Sequence, residues 1–362
     1  MSTQTDTSDP NSDFFLSVID DPIFWLILAV TGFILGTVII IANSFLLFTT
    51  YKDPRKSLRS PPSLLIANIS ASDLLLGLFS VFSVALRDVY RYKGVHMPFV
   101  RVFTAAVHTV SITTLFVSSY SIITLSISCY VAINKPLDYK NIITKRRVKI
   151  HIAVLWLVSI STSFLPATSV SEETYGMIYL HTLVSLPVIL LTVIYVKVFH
   201  ALVRRKRELQ LSGSDFLANS VHVLERERKM SITVIIILAM FYISYMPQYI
   251  ILHLEFFCTS CHQSITYYKI GTALSRFWYI NSAINPFVYA WRVPKYRLAF
   301  INCWKMCRGK FRVTPYEIPL SSQNHNAGER CGEFLQSSGQ TSEGNEVISV
   351  HTTQKDTIDK HI

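Results

Sequence analysis

The sequence predicts an all-α membrane protein, a seven-transmembrane helix bundle with a short amphipathic eighth helix. Three observations predict it. Half of the 362 residues are hydrophobic and 16% are charged, against about 25% charged in soluble domains. Seven runs are long and apolar enough to cross a bilayer core as helices. Lysine and arginine gather in alternate loops between those runs. Glycine is scarce at 12 residues, and six cysteines in so long a chain cannot build a dense disulfide framework. Disorder throughout, a collagen-like fold and a disulfide-rich secreted fold are thereby excluded. The net charge of +11, in so hydrophobic a chain, points to a membrane surface and not to nucleic acid.

The first span, Ile23 to Tyr51, has no charge, and the second, Pro61 to Leu86, has one, Asp73. The third, Val102 to Asn134, is uncharged and long enough to tilt. Ile150 to Ser171 and Thr174 to Val196 form the fourth and fifth, almost touching. Met230 to Leu254 is the sixth. Ile270 to Trp291 is the seventh, with a single Arg276. Inside lipid each backbone polar group must be satisfied within the segment, so these runs read as helices.

The first inter-span loop carries Lys52, Arg55, Lys56 and Arg59, the third Lys135, Lys140, Lys145, Arg146, Arg147 and Lys149, and the fifth a basic cluster from Arg204 to Lys229. The segment before Ile23 holds five aspartates and no basic residue. The N-terminus is expected outside and the C-terminus inside. With no signal-peptide features at its start, the first span is expected to serve as its own insertion signal. The domains are therefore an extracellular tail (1–22), the bundle (23–291), an amphipathic helix (292–307) and a polar cytoplasmic tail (308–362) that reads as disordered.

A mid-bilayer carboxylate at Asp73 is expensive and must face the bundle to find a partner. Pro187, Pro247 and Pro286 each free a backbone carbonyl and create a kink. Buried Asn43, Ser118 and Ser282 suit interhelical hydrogen bonds.

In order along the spans stand Asn43, Asn68-Ile-Ser-Ala-Ser-Asp73, Trp156, Pro187 with Tyr195, Phe241 with Pro247, and Asn285-Pro286-Phe-Val-Tyr289. Over about 23–307 this pattern resembles the rhodopsin-like (class A) G-protein-coupled receptors, and in look is nearest the adenosine, melanocortin and cannabinoid receptors. The resemblance implies a plasma-membrane receptor that relays an extracellular small-molecule, lipid or peptide ligand to a heterotrimeric G protein, with arrestin and a receptor kinase as further partners. It is not expected to be an enzyme, and no catalytic constellation is present. A transporter or channel is the competing class; few glycines and no visible pseudo-symmetry speak against it.

The resemblance also assigns residues. Asp73, Ser118, Asn281, Ser282 and Asn285 match the family's allosteric sodium pocket, and no other cofactor is implied. The ligand pocket would be lined by His108, Ser111, Ile112, Leu115, Tyr245, Gln248, Tyr249, Leu252, Ser275 and Tyr279. Arg276 lies beside them, read either as a structural partner for a neighbouring helix or as an anchor for an anionic head group. The amine-binding aspartate is replaced by Ser111, the Schiff-base lysine by Tyr279 and the adenine-binding asparagine by Leu252. The inner end of the third helix carries Ser128-Cys129-Tyr130 where the family has Asp-Arg-Tyr. Glu227 is the acid that the absent arginine would have paired with. Tyr195, Pro286 and Tyr289 complete the expected switch. Loss of the arginine leaves a second reading, a receptor-like protein that is constitutively active or silent. The family's disulfide from the third helix is missing, with Thr104 at its position. Cys258 and Cys261 are instead close enough to bridge in an oxidising compartment, a metal site being the rival reading. Val293, Tyr296, Phe300, Ile301 and Trp304 give the eighth helix an apolar side. Cys303 and Cys307 at its end suit palmitoylation or remain plain thiols. Ser337, Ser338, Thr341 and Ser342 resemble a kinase and arrestin site.

Overall fold

The computed structural model of the chain describes residues 21–53, 58–95, 97, 100–135, 137–165, 171–211, 236, 239–254, 257–258, 261, 264–292 and 294–307. These residues form a helical bundle. Helix α1 spans Pro22–Lys52. Its start follows from Pro22 at the first position and from the Asp21 carboxylate, which accepts from Phe24 N at 3.1 Å. Trp25, Ala29, Gly32, Gly36, Ile39, Asn43 and Leu46 turn inward at spacings of three and four. Ile23, Ile27, Ile34 and Ile41 point outward. A helix apolar on both faces belongs in lipid.

Helix α2 runs Pro61–Tyr92, with a wider π-type stretch at Leu76–Val81. A Cβ on Gly36 would meet the Phe82 ring at 2.7 Å, and one on Gly32 would meet Ala85 Cβ at 2.9 Å. The Gly-x-x-x-Gly spacing thus lets α1 and α2 approach closely. Helix α3, Val100–Asn134, is buried almost all round from Ile112 to Ile133 and forms the axis of the bundle.

Helix α4 is the short Tyr139–Ile142 turn, and α5 is Lys145–Ser163, capped by the Thr144 hydroxyl. Trp156 Nε1 donates to Asn68 Oδ1 and Asn68 Nδ2 donates to Ser121 Oγ, each at 2.9 Å, tying α5, α2 and α3 together. Helix α6 comprises Glu172–Leu180, a π-type stretch His181–Ser185, and Leu186–Leu211. Within that stretch the Thr182 carbonyl accepts from Tyr120 Oη of α3 at 3.0 Å. Helix α7 covers residues 239–254. Helices α8 (Ile265–Leu274) and α9 (Phe277–Arg292) are separated by a break at Ser275–Arg276, and α10 is Pro294–Cys307.

Four helical segments, Pro22–Lys52, Pro61–Tyr92, Val100–Asn134 and Thr174–Arg204, are by length and composition able to cross a membrane. The helices outrun the apolar runs: α2 continues past Leu86 through Arg87, Asp88 and Arg91, and α6 continues past Val196. Hydropathy marks where lipid ends, not where helix ends. The seventh run is two helices, not one. On α10 the stripe facing the bundle is Tyr296, Ala299 and Cys303, while Leu298, Ile301 and Trp304 are exposed. The sequence placed Tyr296 with Ile301 and Trp304. The helix instead divides its apolar residues between two faces, one docked on α1 and α9 and one free for lipid. Phe300 stacks on Phe45 of α1 at 5.1 Å.

At the end of the bundle that carries the N-terminus, Lys269 Nζ donates to Asp21 Oδ2 at 2.8 Å, which holds that carboxyl below the usual range. The guanidinium of Arg91 lies 4.4 Å from the Trp25 ring.

Candidate functional site

The centre of the bundle is a buried polar cluster built on Asp73, which is fully buried. Ser282 Oγ donates to its Oδ1 at 2.7 Å and Asn285 Nδ2 to its Oδ2 at 2.9 Å, so α9 supplies both donors. Asn43 Nδ2 donates to the Ser282 carbonyl at 3.1 Å, bringing in α1. Ser118 of α3 lies beside Asp73, and Asn281 lies beside Tyr245. Asn43 Oδ1, Ser118 Oγ and Asn281 Nδ2 are buried with no hydrogen-bond partner. Unsatisfied buried polar atoms are expensive. The Asp73 carboxylate with Asn43 Oδ1 and Ser118 Oγ offers oxygen ligands of the kind a hard cation takes, while Asn281 Nδ2 is an N–H donor and is not one of them.

Above this cluster, Tyr245 is almost fully buried and stacks on Phe241 at 4.3 Å. Its hydroxyl meets Ser119 Oγ at 3.1 Å. Trp278 of α9 lies 6.2 Å from its ring. Ile112, Leu115 and Gln248 are buried in the same part of the bundle, whereas Ser111, Tyr249, Leu252 and Ser275 are half-buried. The Ser111 hydroxyl donates back to the Val107 carbonyl at 2.8 Å. His108 is exposed, with the rings of Tyr175 and Tyr179 about 6 Å away at 6.1 and 5.9 Å.

Arg276 and Tyr279 line a different space. A crevice of about 410 Å³ between α1, α2, α8 and α9 is walled by Leu28, Leu35, Val84 and Ile280 with these two. Arg276 Nη2 donates to Asp88 Oδ2 at 2.6 Å. Asp88 is fully buried and the Arg276 side chain 13% exposed. Of the two sequence readings, the guanidinium has the interhelical partner, and that partner is a carboxylate. Arg276 Nε and Asp88 Oδ1 remain buried without partners. Asp88 escaped the sequence reading because the second span was closed at Leu86; an acid between Arg87 and Arg91 looked like loop. The signal available was the unpaired Arg276 itself, which in lipid demands an acid somewhere.

At the opposite end of α3 from the Tyr175 and Tyr179 rings, Ser128, buried, meets Tyr139 Oη of α4 at 3.1 Å. Cys129 and Tyr130 are half-buried. Ser126 Oγ meets Tyr195 Oη at 3.3 Å. Pro286 and Tyr289 are buried in α9, and the Tyr289 ring lies 6.4 Å from Tyr296. Glu227 and the tail serines and threonines lie outside the described residues. Cys258 and Cys261 form a disulfide with Cα atoms 5.3 Å apart. Cys303 is fully buried, so an acyl chain there requires α10 to lift; the side chain of Cys307 lies outside the described residues. The Tyr139 and Tyr195 partners were not foreseen, since a hydroxyl pair leaves no mark in sequence.

The family model described as "7 transmembrane receptor (rhodopsin family)" matches residues 42–177 and 167–289. Cannabinoid receptor type 1B of Takifugu rubripes is 28% identical over 315 residues, covering 78% of this chain and 64% of the relative. The chain thus spans under two thirds of that relative's length. Cannabinoid receptor 1 of Xenopus laevis is 25% identical, covering 84% of this chain and 70% of the relative. Adenosine receptor A2b of Bos taurus is 25% identical, covering 70% of this chain and 83% of the relative.

Proposed function

The chain belongs to the rhodopsin family of seven-transmembrane receptors, and from that premise we propose that it transmits binding of an extracellular ligand to a heterotrimeric G protein. The observation that carries this reading is the Asp73 cluster. A buried carboxylate clamped by two donors of α9 and bordered by further buried polar atoms is an element that can exchange partners between helices. Ligand above and G protein below can each bias such an element. The N-terminus faces outside, as the basic loops favour.

A monovalent cation held by Asp73, Ser118 and Ser282, with Asn281 and Asn285 alongside, favours the arrangement without agonist. The ligand enters between the outer ends of α3, α7 and α9. The separate crevice between α1, α2, α8 and α9 has apolar walls that suit the body of a lipid-like amphiphile, while Arg276 at its edge is held by Asp88. Two relatives are named for cannabinoids and one for adenosine; Leu252 and the apolar crevice walls favour the former kind of chemistry. Arrestin and a receptor kinase act on the tail around Ser337 to Ser342.

The test is a ligand screen in cells carrying G-protein and arrestin reporters. A hit should depend on sodium, and Asp73→Asn should abolish that dependence while the receptor still reaches the surface. Ion-driven substrate flux through reconstituted vesicles, with reporters silent, would refute the receptor reading. A second reading follows from Ser128: its tie to Tyr139 replaces an ion pair, so the chain signals without ligand or does not signal. Basal reporter activity separates the two.

A further inference from the structure

Near the outer ends of α6 and α7 two histidine rings face each other. His181 lies in the π-type stretch of α6 and His253 near the end of α7, their centroids 5.6 Å apart and their planes at 77°. Hydrogen bonds set which nitrogen of each ring carries the proton. His253 Nδ1 lies 3.2 Å from the Tyr249 carbonyl, which can only accept, so Nδ1 is the protonated nitrogen. His181 Nδ1 lies 2.9 Å from Ser185 Oγ, and Ser185 gives its own proton to Tyr249 Oη at 3.1 Å. That leaves Ser185 an acceptor toward His181, so again Nδ1 carries the proton. In the neutral form of each ring Nε2 is then the unprotonated nitrogen, braced by the hydrogen bond of the other.

We propose that His181 and His253 form a transition-metal site, with zinc the expected ion, that bridges α6 and α7. A neutral imidazole that donates its second N–H to a carbonyl or hydroxyl is the arrangement that metal-bound histidines adopt. The spacing agrees. With zinc–nitrogen bonds of about 2.0–2.1 Å and a roughly tetrahedral angle, ring centroids on one ion sit about 5 Å apart. Water completes the coordination. The ion favours conformations that keep the two rings this close, and so sets the separation of α6 and α7 outside Pro247. Edge-to-face packing of two rings is the competing account of the same geometry.

The experiment uses the full-length receptor, purified without a polyhistidine tag and under non-reducing conditions so that the Cys258–Cys261 bridge stays closed. Zinc at about 100 times its Kd should raise the unfolding temperature by roughly 5 °C. Nickel or copper should substitute, and magnesium and calcium should not. His181→Gln and His253→Phe, the latter keeping a ring against its neighbour, should each remove the zinc response. Isothermal titration of the same variants gives a second readout, loss of the zinc site itself, should a variant be too unstable for melting curves. No shift of the wild-type protein up to about 1 mM zinc, or a shift that survives both substitutions, would overturn the site and leave ring packing as the explanation.

Discussion

Removing either partner of the Asp88–Arg276 pair should destabilise the receptor, and the two removals should be unequal. Breaking a buried ion pair from one side costs about 3–5 kcal/mol, because the remaining charge keeps its desolvation penalty. Asp88 is fully buried and faces three cations, Arg276 at 2.6 Å with Arg87 and Arg91 nearby. Arg276→Gln leaves the carboxylate with two guanidiniums still close, so the loss belongs at or below the low end, about 3 kcal/mol. Asp88→Asn leaves three guanidiniums crowded between the end of α2 and the α8–α9 break, two of them partly buried, with no acid among the described residues to balance them. That loss belongs at the high end, about 5 kcal/mol. In melting experiments the larger effect corresponds to a fall on the order of 10 °C. The assay is thermal unfolding of detergent-solubilised wild type, both single variants and the double variant. The double should lose less than the sum of the singles, with a coupling of about 1–3 kcal/mol. If Arg276→Gln proves the more damaging change, or if both singles lie within about 1 kcal/mol of wild type, the pair does not hold the outer bundle together.

Gly36→Ala places a methyl 2.7 Å from the Phe82 ring, so the ring or the two helices must give way, at a cost of about 1–3 kcal/mol; an unchanged melting temperature would show that the close approach there does not contribute to stability. Acyl-exchange labelling of receptor from cells should find palmitate on Cys307 and none on Cys303, which is buried on the bundle-facing side of α10; label on Cys303 would mean that α10 leaves the bundle. Ser128→Asp combined with Cys129→Arg, which restores the charged pattern of the family, should lower basal reporter activity and raise the agonist maximum. No change in either would show that Cys129 is not a switch residue. Mass spectrometry of the intact protein should find Cys258 and Cys261 joined, and two free thiols would refute the bridge.

The helical membrane fold was legible because a bilayer makes the same demand of every span: about 20 apolar residues with no unpaired backbone group. Asp73 was legible as an inward-facing group for the same reason, and Ser282 and Asn285 are the partners it meets. What sequence could not show was rotation about the helix axis. Asp88 finds its partner 188 positions away, and which face of α2 carries it depends on the wide turn at Leu76–Val81. Nothing in Leu-Gly-Leu-Phe-Ser-Val marks an extra residue per turn. The same holds for His181, which lies in the second such stretch. The inner face of α10 was misjudged because both of its sides are apolar, so periodicity alone cannot say which one meets protein.

Three α3 serines each meet a tyrosine from another element. Ser119 meets Tyr245 of α7, Ser126 meets Tyr195 of α6 and Ser128 meets Tyr139 of α4, all between 3.1 and 3.3 Å. A neutral hydrogen bond contributes about 1 kcal/mol net, so no single tie fixes the axis of the bundle against its surround. In a family pattern with a charged inner end, one pair holds one state. Here the hold is divided among hydroxyl contacts spread along the length of α3, and each can exchange its partner without stranding a buried charge. Exchanging one such contact changes the energy by only about 1 kcal/mol. A ligand needs only a differential affinity of that size to move it. Where a charged pair would stand at one end of α3, the structure has a row of hydroxyl contacts along it, from Tyr139 at that end to Tyr245 beside the Asp73 cluster.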